Sequence, residues 1–255
     1  MTKKRVRIVC ISDTHNQTPA RLPPGDILIH AGDLTNSGTY KELSRAAEWL
    51  RNLKGYEYKI VVPGNHDLGL DRSWLFLGKE ARDRGVVYLG PDYNHSGGRG
   101  RDKISTRFTN PTTSCTRPKR RWAFGYSTPV SLDESCWADI PASGIDILVT
   151  HTPPKYHLDS HDSFSLSISS ASSRGSPTVQ NGLETATFLG CEFLRRALWR
   201  TKPRLHVFGH VHEGRGAQVV RWGTDSKWIR WREGRVVEWV EPEGNKMSLV
   251  DLTGR

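Results

Sequence analysis

Five short blocks of residues able to bind metal recur along the chain, each directly after an apolar run of strand length. They are Asp13-Thr14-His15, Gly32-Asp33, Gly64-Asn65-His66-Asp67, His151 and Gly209-His210-Val211-His212. Between them they offer carboxylates, one amide oxygen and several imidazoles, a donor set that suits Mn, Fe or Zn better than Ca or a thiolate-bound metal. They are numerous enough to hold two divalent ions about 3.5–4 Å apart, the arrangement that hydrolyses phosphate esters. Singly, each block is weak. Asp13 and His15 alternate and face one way in an extended segment, as do His210 and His212. Asp33 alone reads as a turn residue, and His151 alone as a buried core histidine. Their joint occurrence at the carboxyl ends of strands is what counts, because open α/β sheets bind ligands there.

The elements that must carry these blocks are legible in the apolar pattern. Residues 6–11 and 26–30 are β-branched runs that end in motif residues. Thr39 with Glu42 forms a capping box, Leu43, Ala46, Ala47, Leu50 and Leu53 make one stripe, and Gly55 stops the helix. A strand over 59–62, a helix over 73–84 and a strand over 86–89 follow, the rhythm of a parallel α/β sheet. Strands are expected again at 122–126, 145–150 and 204–208, with a helix over 185–200. The segments 217–222, 227–231 and 235–240 read as antiparallel strands turned at Gly223-Thr224 and Glu233-Gly234. Trp222, Trp228, Trp231 and Trp239 there are expected to pack the sheet.

At 255 residues, 36% hydrophobic and 25% charged, the chain suits one domain over 1–255. Two stretches break the pattern and are expected to be flexible insertions, at 92–121 and 158–181. The first holds Arg99, Arg101, Lys103, Arg107, Arg117, Lys119, Arg120 and Arg121 against Asp102, much of the net charge of +10. The second is serine-rich and too polar to order itself. No run approaches the roughly 18 apolar residues of a membrane span. Residues 6–11 are too short for a signal sequence and lead straight into the first block, so the chain is expected to be cytoplasmic. Cys10, Cys115, Cys136 and Cys191 show no paired spacing, and reduced thiols are expected.

With these residues in place, the chain resembles the calcineurin-like metallophosphoesterases, whose pattern is Asp-x-His, Gly-Asp, Gly-Asn-His-Asp/Glu, His and Gly-His-x-His. The likeness spans residues 6–213. Its texture (Ile-Ser-Asp-Thr-His, His-Ala-Gly-Asp-Leu-Thr, His-Thr-Pro-Pro, Gly-His-Val-His-Glu-Gly) is most similar to the metallophosphoesterase-domain-containing branch. The resemblance implies an α/β fold of two mixed β-sheets packed face to face and flanked by helices, in four layers. It implies that Asp13, His15 and His212 hold one divalent metal, that Asn65, His151 and His210 hold a second, and that Asp33 bridges them. His66 would be the catalytic imidazole, with Asp67 orienting it or shaping the turn.

Such a site would attack phosphorus in line with a metal-bridging hydroxide, and His66 would stabilise or protonate the leaving group. Phosphoprotein phosphatases of the superfamily carry Gly-Asp-x-x-Asp-Arg-Gly, with Arg gripping the phosphate. Here the window reads Gly32-Asp33-Leu34-Thr35-Asn36-Ser37-Gly38, without Arg. A phosphoprotein substrate is therefore disfavoured; the resemblance instead implies a phosphodiesterase acting on a cyclic nucleotide or another small phosphodiester, or a phosphomonoesterase of a small ester. A nuclease drawn to nucleic acid by the basic stretch and a scaffold without turnover are the rivals.

Overall fold

The computed structural model describes residues 5–70, 137, 140–159, 188–222, 233–239 and 250. Its first sheet is parallel, in the order β1 (Ile8–Ile11), β2 (Ile27–His30), β3 (Tyr58–Val61). Ile8 lies opposite Ile27 and Ile27 opposite Tyr58, so the three strands end level at Ile11, His30 and Val61. A second parallel pair, β4 (Ile147–Val149) and β5 (Leu205–Val207), runs in the register Ile147 to Leu205. A third ladder, β6 (Ala217–Trp222) with β7 (Glu233–Trp239), is antiparallel. This is an α/β architecture of parallel and antiparallel ladders. The expected elements at 73–84, 86–89, 122–126 and 227–231, the whole 92–121 insertion and all of the 158–181 insertion except residues 158–159 lie outside the described residues.

Alternation along β2 explains how the first sheet is covered. Leu28 turns to one face and packs with Val9, Leu34 and the helix residues Ala46 and Leu50. Ile29 and Ala31 turn to the other and meet Val207 of β5, with Ile147 and Val149 of β4 beside them. Side chains of both parallel ladders thus share one cluster, which holds the strand ends of one ladder against those of the other. Each fully buried Leu or Ile here contributes roughly 1.5–3 kcal/mol.

Helix α1 (Tyr40–Asn52) starts at the expected capping box, with the Glu42 N–H donating to Thr39 Oγ1 and the Thr39 N–H donating to Glu42 Oε2 at 2.9 Å. Helix α2 (Glu192–Thr201) is shorter than the expected 185–200. Its first residues are captured by tertiary pairing: the Cys191 N–H donates to Pro153 O at 2.9 Å, and the Lys155 N–H donates to Cys191 O at 3.1 Å. Leu194, Ala197 and Leu198 then bury against Trp137 and Ile140, with Leu148 and Trp222 beside them. The expected turn at Glu233-Gly234 is also corrected, because Glu233 opens β7. Its carboxylate is gripped by the Arg195 fork at 2.9 and 2.7 Å and by His157 Nε2 at 3.1 Å, which holds this end of the strand to α2.

Cys191 is disulfide-bonded, which overturns the expectation of reduced thiols; Cys10 is free. Disulfides are rare in the cytosol, so cysteine chemistry lends no support to a cytoplasmic location. Among the described residues no helix is long and apolar enough to cross a membrane.

Candidate metal centre

Among the described residues, the five parallel strands end at one place, and each is followed by one of the donor-bearing blocks. Asp13 and His15 leave β1, Asp33 leaves β2, Asn65 and His66 leave β3, His151 leaves β4, and His210 and His212 leave β5. The loops are held where the strands stop. The Asp13 N–H donates to Gly32 O at 2.9 Å, the His15 N–H to Asp33 O at 3.0 Å, and the Asn16 N–H to Leu34 O at 2.9 Å. Asp13, His15, Asp33 and His210 all sit at left-handed φ, between 43° and 76°, which costs a non-glycine residue about 1–3 kcal/mol and clusters at functional sites. Gly32 has φ 99°, and a Cβ on it would strike the His151 ring; one on Gly209 would strike Ser12 and the Asp13 carboxylate. Those glycines are there because ligand side chains occupy the space.

Three groups of donor atoms converge, each with its atoms within 4.8 Å of one another: Asp13, His15 and His212; His15, Asp33 and His66; Asp33, His151 and His210. Asp33 Oδ2 lies 3.3 Å from His151 Nε2 and 3.7 Å from His15 Nε2, so one carboxylate oxygen faces both outer groups. Its Oδ1 is anchored by the His66 N–H at 2.8 Å. Asp13 Oδ1 lies 3.5 Å from His212 Nε2, and His15 Nε2 lies 3.4 Å from His212 Nε2. Asn65 Oδ1 lies 3.1 Å from His151 Nε2. Every residue singled out from the sequence as a ligand is brought to this one cluster.

The electrostatics fit a cation. Nδ1 of His151 lies 2.8 Å from Ala31 O; a carbonyl only accepts, so Nδ1 carries the hydrogen and Nε2 faces Asp33 and Asn65. Burial pushes the His151 pKa down, but Asp33 and Ala31 more than reverse it, to about 9. Burial likewise raises Asp33, and the hydrogen bonds and charge from His151 and His66 bring it down to about 2. His210 is driven down to about 4, first by burial and then by charge on His151, which leaves it the neutral imidazole that metal ligation needs.

His66 and Asp67 are placed differently from each other. His66 Nδ1 meets Asn36 O at 2.8 Å, so Nδ1 is the hydrogen-bearing nitrogen and Nε2 is the one presented. Asp67 is buried and accepts from four donors: the N–H groups of Gly64, Thr35 and Leu34 at 2.8, 2.9 and 3.2 Å, and the Thr35 hydroxyl at 2.7 Å. The Asn36 carbonyl therefore orients His66 in the way anticipated for Asp67, which instead clips the Gly-Asn-His-Asp turn to the Gly-Asp loop. The Asn36 and Ala31 carbonyls left no sequence signal, since any residue carries one.

Carboxylate and imidazole donors gathered at the carboxyl ends of parallel strands make a candidate divalent-metal site in an α/β protein. Residues 6–214 match the family model for calcineurin-like phosphoesterases, and the chain belongs to that family, whose chemistry is metal-dependent hydrolysis of phosphate esters. It is 34% identical over 231 residues to human metallophosphoesterase domain-containing protein 1, covering 84% of this chain and 62% of that protein. It is 32% identical over 232 residues to a UPF0046 protein of Caenorhabditis elegans, covering 84% and 71%. It is 40% identical over 233 residues to the probable rhamnogalacturonate lyase C of Emericella nidulans, covering 87% of this chain but 18% of that protein. The chain thus spans less than two thirds of the length of the human and the Emericella nidulans relatives.

Proposed function

We propose that the chain is a dinuclear metal-dependent phosphoesterase that prefers small phosphodiesters, cyclic nucleotides among them, over phosphomonoesters. The observation that supports this most is Asp33 Oδ2 facing imidazoles of both outer groups, at 3.3 and 3.7 Å. Asp13, His15 and His212 would hold one ion and Asn65, His151 and His210 the other, with Asp33 between them. Mn is the ion to try first, given an N/O donor set. Bound there, divalent ions would lower the pKa of a water from about 15.7 toward about 7 and offset charge on the ester oxygens. His66 supplies the proton chemistry. With Nδ1–H held by Asn36 O, its Nε2 takes up a proton and delivers it to the departing alkoxide. The Asp33 carboxylate fixes the His66 backbone, so ligand and acid are held as one unit.

The absence of Arg from the 32–38 window weighs against a phosphoprotein substrate. The lyase name of one relative carries no weight, since 18% of that protein matches. In this reading 1–255 is a single domain with the family's two sheets face to face. The test is hydrolysis of bis-p-nitrophenyl phosphate beside p-nitrophenyl phosphate, with Mn²⁺ and with chelator. Metal-dependent turnover favouring the diester is the expected result. No turnover with Mn²⁺ demonstrably bound would refute the reaction and leave a binding scaffold.

A further inference from the structure

Beneath the ligands lie two histidine–threonine pairs in matching places. His30, the last residue of β2, meets Thr14 between Asp13 and His15, with Nε2 and Oγ1 3.0 Å apart. His206, in β5, meets Thr150 immediately before His151, with Nε2 and Oγ1 2.9 Å apart. Each hydroxyl has a carbonyl on its other side: Thr14 Oγ1 donates to Leu34 O at 3.5 Å, and Thr150 Oγ1 donates to Thr152 O at 2.8 Å. A hydroxyl has one hydrogen and a carbonyl only accepts, so both histidines must donate from Nε2. His30 agrees with this: its buried Nδ1 is without a partner among the described residues, as befits the nitrogen that bears no hydrogen in that tautomer.

We propose that these two imidazole–hydroxyl–carbonyl relays are positioning devices for the metal centre, one for each half. The first crosses from the Asp13–His15 loop to Leu34, the neighbour of Asp33. The second straddles His151 from Thr150 to Thr152. Both act at and just past the strand ends, where Asp13, His15 and Asp33 stand at left-handed φ and side-chain bonds add to the backbone pairing. A threonine and a histidine on the adjacent parallel strand recur at both places, although the two strand pairs share no sequence. Neither histidine is among the ligands, and both are buried or partly buried beneath them.

The inference rests on the reading of the centre as a metal site but not on the ester it hydrolyses, so its readout is binding. Mn²⁺ affinity of the intact chain is measured by calorimetry, with electron paramagnetic resonance following the bound ion. Thr14→Val and Thr150→Val each remove a hydroxyl at constant volume. Each should weaken Mn²⁺ binding about tenfold, the lower end of what outer hydrogen-bond partners of metal ligands contribute. Thr14→Ser and Thr150→Ser should restore it. Thr201→Val, which removes a buried hydroxyl that bonds to Ala197 O within α2, should leave affinity unchanged. Alanine variants, read against the serine ones, replace any valine variant that does not fold. Wild-type affinity in both valine variants overturns the proposal, and so does equal loss in valine and serine variants, which would assign the effect to packing. Loss of ester turnover by a wild type that binds Mn²⁺ would overturn the proposed reaction alone.

Discussion

Replacing Asp67 by Asn tests whether the fourth residue of the Gly-Asn-His-Asp block is a clamp or a catalytic partner. Among the described residues four donors meet the carboxylate: Oδ1 accepts from the Thr35 N–H at 2.9 Å and hydroxyl at 2.7 Å, and Oδ2 accepts from Gly64 at 2.8 Å and Leu34 at 3.2 Å. Asn keeps one acceptor oxygen and turns an NH₂ toward the other pair. Set toward Thr35, that NH₂ is accepted by the hydroxyl, which can turn, so the Thr35 N–H is the donor left stranded. A stranded buried donor costs about 1–3 kcal/mol, and Asp67→Asn should destabilise the fold by about that amount. For a chain of this size that lowers the melting temperature by roughly 2–12 °C. The assay is thermal unfolding of both proteins under one metal condition, with turnover measured well below the lower transition. If melting is unchanged and kcat falls, the reasoning is refuted, because Asp67 would then act on the reaction and not on the loops.

Two further outcomes follow from the site and its surroundings. His66→Ala should lower kcat by about 10²–10⁴-fold, the range for a lost general acid, while leaving Mn²⁺ bound; metal loss in that variant would make His66 a ligand, as its place in the middle donor group allows. Glu233 should govern acid stability at the α2–β7 contact. Burial raises its pKa and the Arg195 fork more than offsets this, to about 2 against an ordinary 4.5. A depressed carboxylate stabilises the fold above its unfolded pKa, and that contribution fades as pH falls from about 4.5 toward about 2. Melting of the wild type should therefore decline through that window more steeply than that of Glu233→Gln, and parallel curves would contradict the assignment.

Candidate donor residues are legible because donor capacity resides in side-chain type, and strand ends are legible because β-branched runs stop where the motifs begin. Asp13, His15, Asp33, Asn65, His151, His210 and His212 could be picked out for that reason, and the structure brings their donor atoms together. What the pattern could not carry is partner choice. The Asn36 and Ala31 carbonyls that fix the His66 and His151 tautomers are backbone atoms, identical in every residue. The start of α2 departs from the expectation because residues 189–191 are claimed by pairing with Pro153, Lys155 and Asp159, contacts set by a segment about thirty residues or more away. Glu233 was read as a turn former because Glu-Gly looks like one locally, whereas its position follows from Arg195 and His157. The same logic places His30 and His206. Nothing in the apolar strands that hold them signals a role, and it is the hydroxyl found on the neighbouring loop that gives either a task. A sequence thus announces the atoms that would touch a metal far more clearly than those that hold them still, because the first are selected by type and the second by geometry.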